Sequence, residues 1–285
     1  LGDVYKRQRL DDAKFFYEED LKVELDEFVQ RLDRVVFQEK LGTVLQKVER
    51  MERIARAAAQ AIKLDEAQTT QVVRAAHLAK ADLVSQAVIE FTSQQGVMGG
   101  YYAQAAQEDP QVAIAVAQHY RPRFAGDVLP ENTYGKLVAL ADKLDTVAAL
   151  FAIGEPPTGS SDPFAVRRAA IGIIALLRAL PAVQLRALID CALDGLAQQG
   201  ISFDKNDVAV QVANFFGGRL ATIAKDEGAK PDTIEAVSAV GIIDPQEFLN
   251  RVAALDQARA TNPELFLALA GAFARASHLA DASLG

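Results

Sequence analysis

The sequence predicts an all-α fold, and three observations carry that prediction. Apolar residues recur at three- and four-residue spacing along most of the chain, the stripe of amphipathic helices. There are only 10 prolines among 285 residues, so long helical stretches go uninterrupted. No glycine-punctuated alternation of period two, the mark of a sheet, is found. Half of the residues are hydrophobic, enough to bury a sizeable core and to form two domains.

The elements follow from this periodicity. Over Val44–Ile62, Val48, Met51, Ile54, Ala55 and Ala58 form one apolar stripe. Val73, Ala76, Leu83, Val84 and Val88 extend a second over Val72–Phe91, until Gly96, Gly99 and Gly100 break it. A third helix is predicted over Asp109–Tyr120, with Pro110 in its first turn and Pro122 ending it. Tyr134–Ala152 turns Leu137, Leu140, Ala141, Leu144 and Val147 inward. Further helices are expected at Phe164–Leu180, Pro181–Gln199, Asp204–Asp226, Asp232–Val240, Pro245–Asp256 and Asn262–Ala280. Domain boundaries are expected near 155–163 and near 200.

The run from Pro156 to Arg168, PPTGSSDPFAVRR, is the most informative segment. Its prolines and Gly159 stop what precedes. Ser161 or Asp162 can cap a new helix, Pro163 suits the first turn, and Arg167 and Arg168 then sit close to the helix start. Such a device displays guanidiniums rigidly.

Charge narrows the function. The net charge is −8, which excludes a protein that coats nucleic acid indiscriminately. Residues 1–110 carry −4, 111–186 carry +2 and 187–285 carry −6. The middle segment holds Arg121, Arg123, Lys136, Lys143, Arg167, Arg168, Arg178 and Arg186, so a phosphate-binding face is expected there; scattered arginines on solvated helices are the plainer alternative. No apolar run approaches the ~18 residues of a membrane span. Leu1–Gln8 lacks the apolar core of a signal peptide, and the lone Cys191 can form no disulfide within the chain; a cytoplasmic location is expected.

Other chemistry finds little support. Cys191 lies on an apolar helix with no histidine near it in sequence, the setting of a packed thiol rather than a nucleophile. The Gly96–Gly100 stretch has neither the lysine nor the preceding strand of a P-loop. It reads as a loop permitting close helix approach, with Tyr101 and Tyr102 either packed beneath it or offered to a nucleotide. Glu18-Glu19-Asp20 reads as an acidic solvated turn.

Five blocks follow one another along the chain: LDDAKFFYEEDL (Leu10–Leu21); VVFQEKLGT (Val35–Thr43); KADLV (Lys80–Val84) with Glu90-Phe91 and QGVMG (Gln95–Gly99); HYRPRFAGD (His119–Asp127); and ALADKLDT (Ala139–Thr146) leading into the Pro156–Arg168 run. In that order they resemble the bacterial glycyl-tRNA synthetase beta subunit. The likeness weakens after Leu180, continuing at NFF (Asn214–Phe216) with Arg219-Leu220 and at AFAR (Ala272–Arg275). The first eight residues do not resemble the family, and Thr92-Ser93-Gln94 departs from its pattern.

The resemblance implies a fragment of a beta subunit: 1–32 left from an upstream region, an HD-superfamily-like helical domain at 33–155, linker helices at 156–200 and part of an anticodon-binding, DALR-like bundle at 201–285. It implies a tetramer of two alpha and two beta subunits. There the alpha subunit makes glycyl-adenylate with ATP and magnesium, the beta subunit grips glycine tRNA, and this chain binds no cofactor and is not itself catalytic. Acceptor-side contacts are then expected at Arg121, Arg123, Lys136, Lys143, Arg167 and Arg168, and anticodon-side contacts at Arg219 and Lys225, with Lys230 a further cation to test.

The HD relationship raises a rival, a metal-dependent phosphohydrolase, which needs a histidine, an adjacent His-Asp pair and a distant aspartate. Here the pair position reads His77-Leu78-Ala79-Lys80-Ala81-Asp82, and no adjacent His-Asp occurs. His77, His119 and His278 lack ligand spacing, so metal ligation is expected to fail, although Asp142 or Asp145 can keep the place of the distant aspartate. Lys80 is expected to supply a cation to Asp82 or to a phosphate. A helical scaffold without an RNA role is the third alternative.

Overall fold

Helices dominate the computed structural model, which describes residues 2–159 and 161–283, with side chains from residue 9 to residue 277. The chain divides into two units, Leu1–Asn214 and Phe215–Gly285. In the first, α1 (Gly2–Asp20) and α2 (Leu25–Arg31) lead into a small antiparallel hairpin, β1 (Val36–Gln38) with β2 (Gly42–Thr43). There follow α3 (Val44–Ala61), α4 (Glu66–Leu78), α5 (Gln86–Glu90), α6 (Val97–Ala105), α7 (Pro110–Gln118), α8 (Thr133–Ala152), α9 (Val166–Arg178) and α10 (Leu185–Gln198). α11 (Lys205–Asp226) runs across the division, and α12 (Pro231–Ser238), α13 (Pro245–Thr261) and α14 (Pro263–Ser283) belong to the second unit.

The all-α prediction holds, and local chemistry explains where individual boundaries differ. α3 starts where predicted because Thr43 and Gln46 form a reciprocal capping box. α7 begins after Asp109, whose carboxylate accepts from the Gln111 N–H at 2.8 Å. The single helix expected over Val72–Phe91 is divided. After Leu78 the chain tightens into a 3₁₀ turn at Ala81–Val84 and restarts as α5. Three acceptors hold that restart: Ser85 Oγ caps the Val88 N–H, and buried Asp20 accepts from the N–H groups of Gln86 (2.8 Å) and Ala87 (3.0 Å). Asp20 therefore belongs to no solvated turn. A carboxylate sixty-six residues distant starts the helix, a cause that periodicity cannot register.

The glycine stretch differs too. Val97–Ala105 is helical rather than a loop, although the close approach inferred for it is real. A Cβ on Gly100 would lie 2.6 Å from Ala117 Cβ and 3.2 Å from the Ala113 carbonyl oxygen, so α6 and α7 meet almost backbone to backbone. Tyr102 packs inward, stacked on Tyr17 and donating to Asp20 at 2.7 Å, whereas Tyr101 is exposed.

α8 is the centre of the first unit. Sixteen of its twenty residues are buried, and it is packed by α3, α4, α7, α9 and α10, as expected of a helix apolar on every face. The helices expected as a linker over 156–200 thus pack on the same core. Amid this apolar surface, α8 carries Asp142 and Asp145 one turn apart, facing Lys47 and Arg50 at matching spacing on α3. Arg50 grips Asp145 through two nitrogens (Nε 2.7 Å, Nη2 3.0 Å). Lys47 Nζ lies 3.0 Å from Asp142 Oδ1 and 3.2 Å from Asp145 Oδ2. Lys80, from the turn after α4, reaches Asp142 Oδ2 at 2.8 Å. Burial alone would raise the Asp142 carboxyl. Lys80 and Lys47 outweigh it and hold the group well below the ordinary carboxylate range.

Asp82 is different: its Oδ2 accepts from the N–H groups of Gly96 (2.6 Å) and Gly99 (2.9 Å), while its buried Oδ1 has no hydrogen-bond partner among the described residues. Burial pushes its pKa up to about 6 against these bonds. Since the unfolded side chain titrates near 3.8, the cost of the buried charge is absent below about pH 4, grows as pH rises and is complete above 6. Asp82→Asn keeps an oxygen for the two glycine N–H groups and cannot ionise. Its stability relative to the wild type is expected to rise with pH across this window, read from urea unfolding at pH 4 to 7; a flat difference would contradict the assignment. Gly100→Ala is expected to lower the unfolding free energy by roughly 1–3 kcal/mol. Gly217→Ala on α11, where a Cβ meets nothing within 4 Å, is expected to raise it by up to about 1 kcal/mol.

Candidate nucleic-acid interface

A cleft of about 600 Å³ opens in the first unit. Tyr120, Pro122 and Arg123 line it from the segment after α7, Asp142, Lys143 and Thr146 from α8, and Phe164, Ala165, Arg168 and Ala169 from the start of α9, with Ser93 and Gln95 completing the lining. The three basic residues come from three separate segments of the sequence.

The start of α9 is built around Asp162. Its carboxylate accepts from the N–H groups of Val166 at 2.7 Å and Arg167 at 3.0 Å, and Ala165 takes a left-handed φ of +56°. The helix therefore begins at Val166 rather than Phe164, with Pro163 before it. Of the two capping candidates, Asp162 is the acceptor. Because Asp162 already satisfies these N–H groups, the arginine side chains are the donors left at this helix start. Arg167 leans back toward Asp162 at 4.0 Å. Arg168, one residue on, is exposed, lines the cleft and has no ion-pair partner among the described residues.

Arg123 resembles Arg168 in this respect. It is exposed, and its backbone N–H is held by Asp127 Oδ2 at 2.7 Å, so the loop is tethered while the guanidinium is left to face the cleft. Arg121 lies 4.0 Å from Glu131 and does not line the cleft. Lys136, early in α8, approaches the Glu131 carbonyl at 3.5 Å and is likewise outside the lining.

Lys143 is buried, and its ammonium donates to the carbonyls of Tyr120 (3.0 Å), Arg121 (3.1 Å) and His119 (3.4 Å). Burial lowers its pKa to about 8, against the pull of Asp142. Its three donors are spent on holding the loop that carries Arg123. Arg219 and Lys225 lie in the second unit, Arg219 against the Phe215 ring at 5.1 Å and Lys225 exposed; the backbone N–H of Lys230 bonds Asp256 there.

Beneath the cleft, Lys80 sits between His119 and Asp142. Its ammonium lies 2.9 Å from His119 Nε2 and 3.8 Å from the centre of the Tyr120 ring. His119 Nδ1 donates to the Val116 carbonyl at 2.7 Å, which leaves Nε2 as the acceptor for Lys80. Burial, with Lys80 beside it, keeps His119 well below the ordinary histidine range, hence neutral. The cation expected from Lys80 thus goes to Asp142. His77 and Asp82 do not come together as a pair: His77 bonds Glu52 (2.7 Å) and Asp26 (3.2 Å), and the bond to Glu52 raises its pKa. Among the described residues no three His, Cys, Asp or Glu side chains converge as a metal site; the side chain of His278 lies outside them. Cys191 is half-buried, with its thiol pushed up by burial.

Sequence reasoning missed the polar and aromatic lining: Ser93, Gln95, Tyr120, Thr146 and Phe164. Tyr120 and Phe164 stood beside the arginines in the two most informative segments, and that adjacency was the available signal. No helix among the described residues is long and apolar enough to cross a membrane.

Comparison with known proteins gives this geometry a family. The family model described as "Glycyl-tRNA synthetase beta subunit" matches residues 6–239. The glycine--tRNA ligase beta subunit of Halothermothrix orenii is 40% identical over all of this chain and 41% of that protein. Those of Clostridioides difficile and Haemophilus influenzae are 43% and 41% identical, over 87% and 98% of this chain and 36% and 40% of theirs. The chain thus spans about two fifths of the length of these relatives, and it belongs to the glycyl-tRNA synthetase beta subunit family.

Proposed function

We propose that this chain is a transfer-RNA grip. It is part of a beta subunit that holds glycine tRNA in the cytoplasm while an alpha subunit, in a tetramer of two alpha and two beta, uses magnesium to make glycyl-adenylate from glycine and ATP with release of pyrophosphate, and transfers the glycine. The observation that carries this is the cleft, where the guanidiniums of Arg123 and Arg168 face solvent without carboxylate partners among the described residues. The acidic groups beneath are already neutralised by Lys47, Arg50 and Lys80. A phosphate entering there meets two planar donors suited to bidentate contact and no surplus negative charge.

Contacts of this type place an RNA but carry no sequence information. Identity would come from unpaired bases or shape, in part through the helices of the second unit, where Arg219 and Lys225 are available to an anticodon arm. The chain itself would make and break no covalent bond. At the position where an HD hydrolase would gather a cation between histidine and aspartate, the Lys80 ammonium lies 2.8 Å from Asp142, and a divalent ion placed there would be repelled by it.

In the assembled enzyme, Arg123→Ala and Arg168→Ala are each expected to raise the tRNA Michaelis constant about tenfold. Each should reduce the slope of log affinity against log salt by roughly 0.7–0.9, with tRNA-independent adenylate formation unchanged. Arg167→Ala, whose guanidinium leans on Asp162, is expected to do less. Loss of adenylate formation with tRNA affinity intact would overturn the assignment.

A further inference from the structure

The segment that carries Arg123 into the cleft also carries an aromatic side chain away from it. Phe124 is 61% exposed and is not among the cleft's lining. A lone exposed aromatic is ordinary on a protein surface; the mounting of this one is not. The Asp127 N–H donates to the Phe124 carbonyl at 3.2 Å, closing a four-residue turn with Gly126 in its third position at φ +81°. The Asp127 carboxylate then ties both flanks, accepting from the N–H groups of Arg123 (2.7 Å) and Val128 (2.9 Å). On the N-terminal side Pro122 is buried, and Lys143 fastens the carbonyl of Arg121 at 3.1 Å. The phenyl ring is thus offered to solvent on a turn secured at both ends, next to a residue whose guanidinium lines the cleft.

We propose that Phe124 is a stacking platform for a nucleobase at the end of an RNA helix, with Arg123 holding the adjoining phosphate in the cleft. Bases inside a duplex are covered by their neighbours, so only a terminal pair or an unpaired base exposes a face to such a ring. Every base has such a face, and the contact therefore anchors an RNA end without reading it. A protein partner is the competing occupant of an exposed aromatic; the adjacent Arg123, exposed and without an ion-pair partner among the described residues, favours a polyanion. The inference rests on the RNA-binding reading above and adds to it a contact that does not depend on charge.

The chain contains no tryptophan, so Phe124→Trp installs a single reporter. Titrated with a glycine tRNA transcript, Phe124→Trp is expected to bind like the wild type and to lose emission as the RNA binds. Phe124→Ala and Phe124→Leu are expected to bind about tenfold more weakly with an unchanged salt slope, because no phosphate contact is lost, and with unchanged thermal midpoints, because the ring is exposed. Wild-type affinity in Phe124→Ala while Arg123→Ala weakens binding would overturn the platform and leave the cleft standing, whatever the variant does to subunit association. An unquenched tryptophan would overturn it equally. A wild-type chain that fails to bind the transcript would overturn the RNA reading itself, and this inference with it.

Discussion

Two carboxylates buried in the middle of α8 set the terms for the rest of the first unit. Asp145 is fully buried and Asp142 nearly so, and neither tolerates being left alone. Removing one partner of a buried ion pair typically costs about 3–5 kcal/mol, because the other charge remains desolvated. The demand is therefore for geometry. α3 must present Lys47 and Arg50 in phase with Asp142 and Asp145, and the turn after α4 must bring Lys80 to within 2.8 Å. An apolar interface of the same area would tolerate a slip of one helical position; a charged one in this setting does not. The network gives α8, otherwise coated in alanine, leucine and valine, a single rotational setting, and that setting places Lys143 under the loop bearing Arg123.

Much of this was legible in the sequence because it is local. The helices at Val44, Pro110, Thr133 and Pro245 begin next to caps or prolines that the sequence displays. What was illegible depends on distant partners. The break at Ala79–Ser85 requires Asp20, from the end of α1, to receive two N–H groups of α5. The delayed start of α9 requires Asp162 to reach four and five residues forward. The small hairpin before α3 escaped because five strand residues carry no detectable alternation.

The site was legible in composition and illegible in accessibility. A positive middle segment and the Arg167-Arg168 pair pointed to the region in which the fold brings Arg123 and Arg168 to one cleft. From sequence the six acceptor-side candidates had equal standing, yet the structure separates them by what each already holds. Lys143 is occupied by three carbonyls and Arg167 by its cap residue, while Arg121 and Lys136 face Glu131. A side chain's unspent donors are a tertiary property.

The division of labour among charges also reconciles the proposed RNA grip with a net charge of −8. At physiological salt the Debye length is about 8 Å, so a phosphate in the cleft responds to Arg123, Arg168 and the ammonium of Lys143 far more than to acidic residues elsewhere. The acidic remainder matters at other positions, where it opposes the same polyanion. A uniformly basic surface would hold RNA in many registers with similar energy. A basic cleft in an acidic chain lowers the energy of one register and raises that of the others, which is the property that the proposed RNA grip requires.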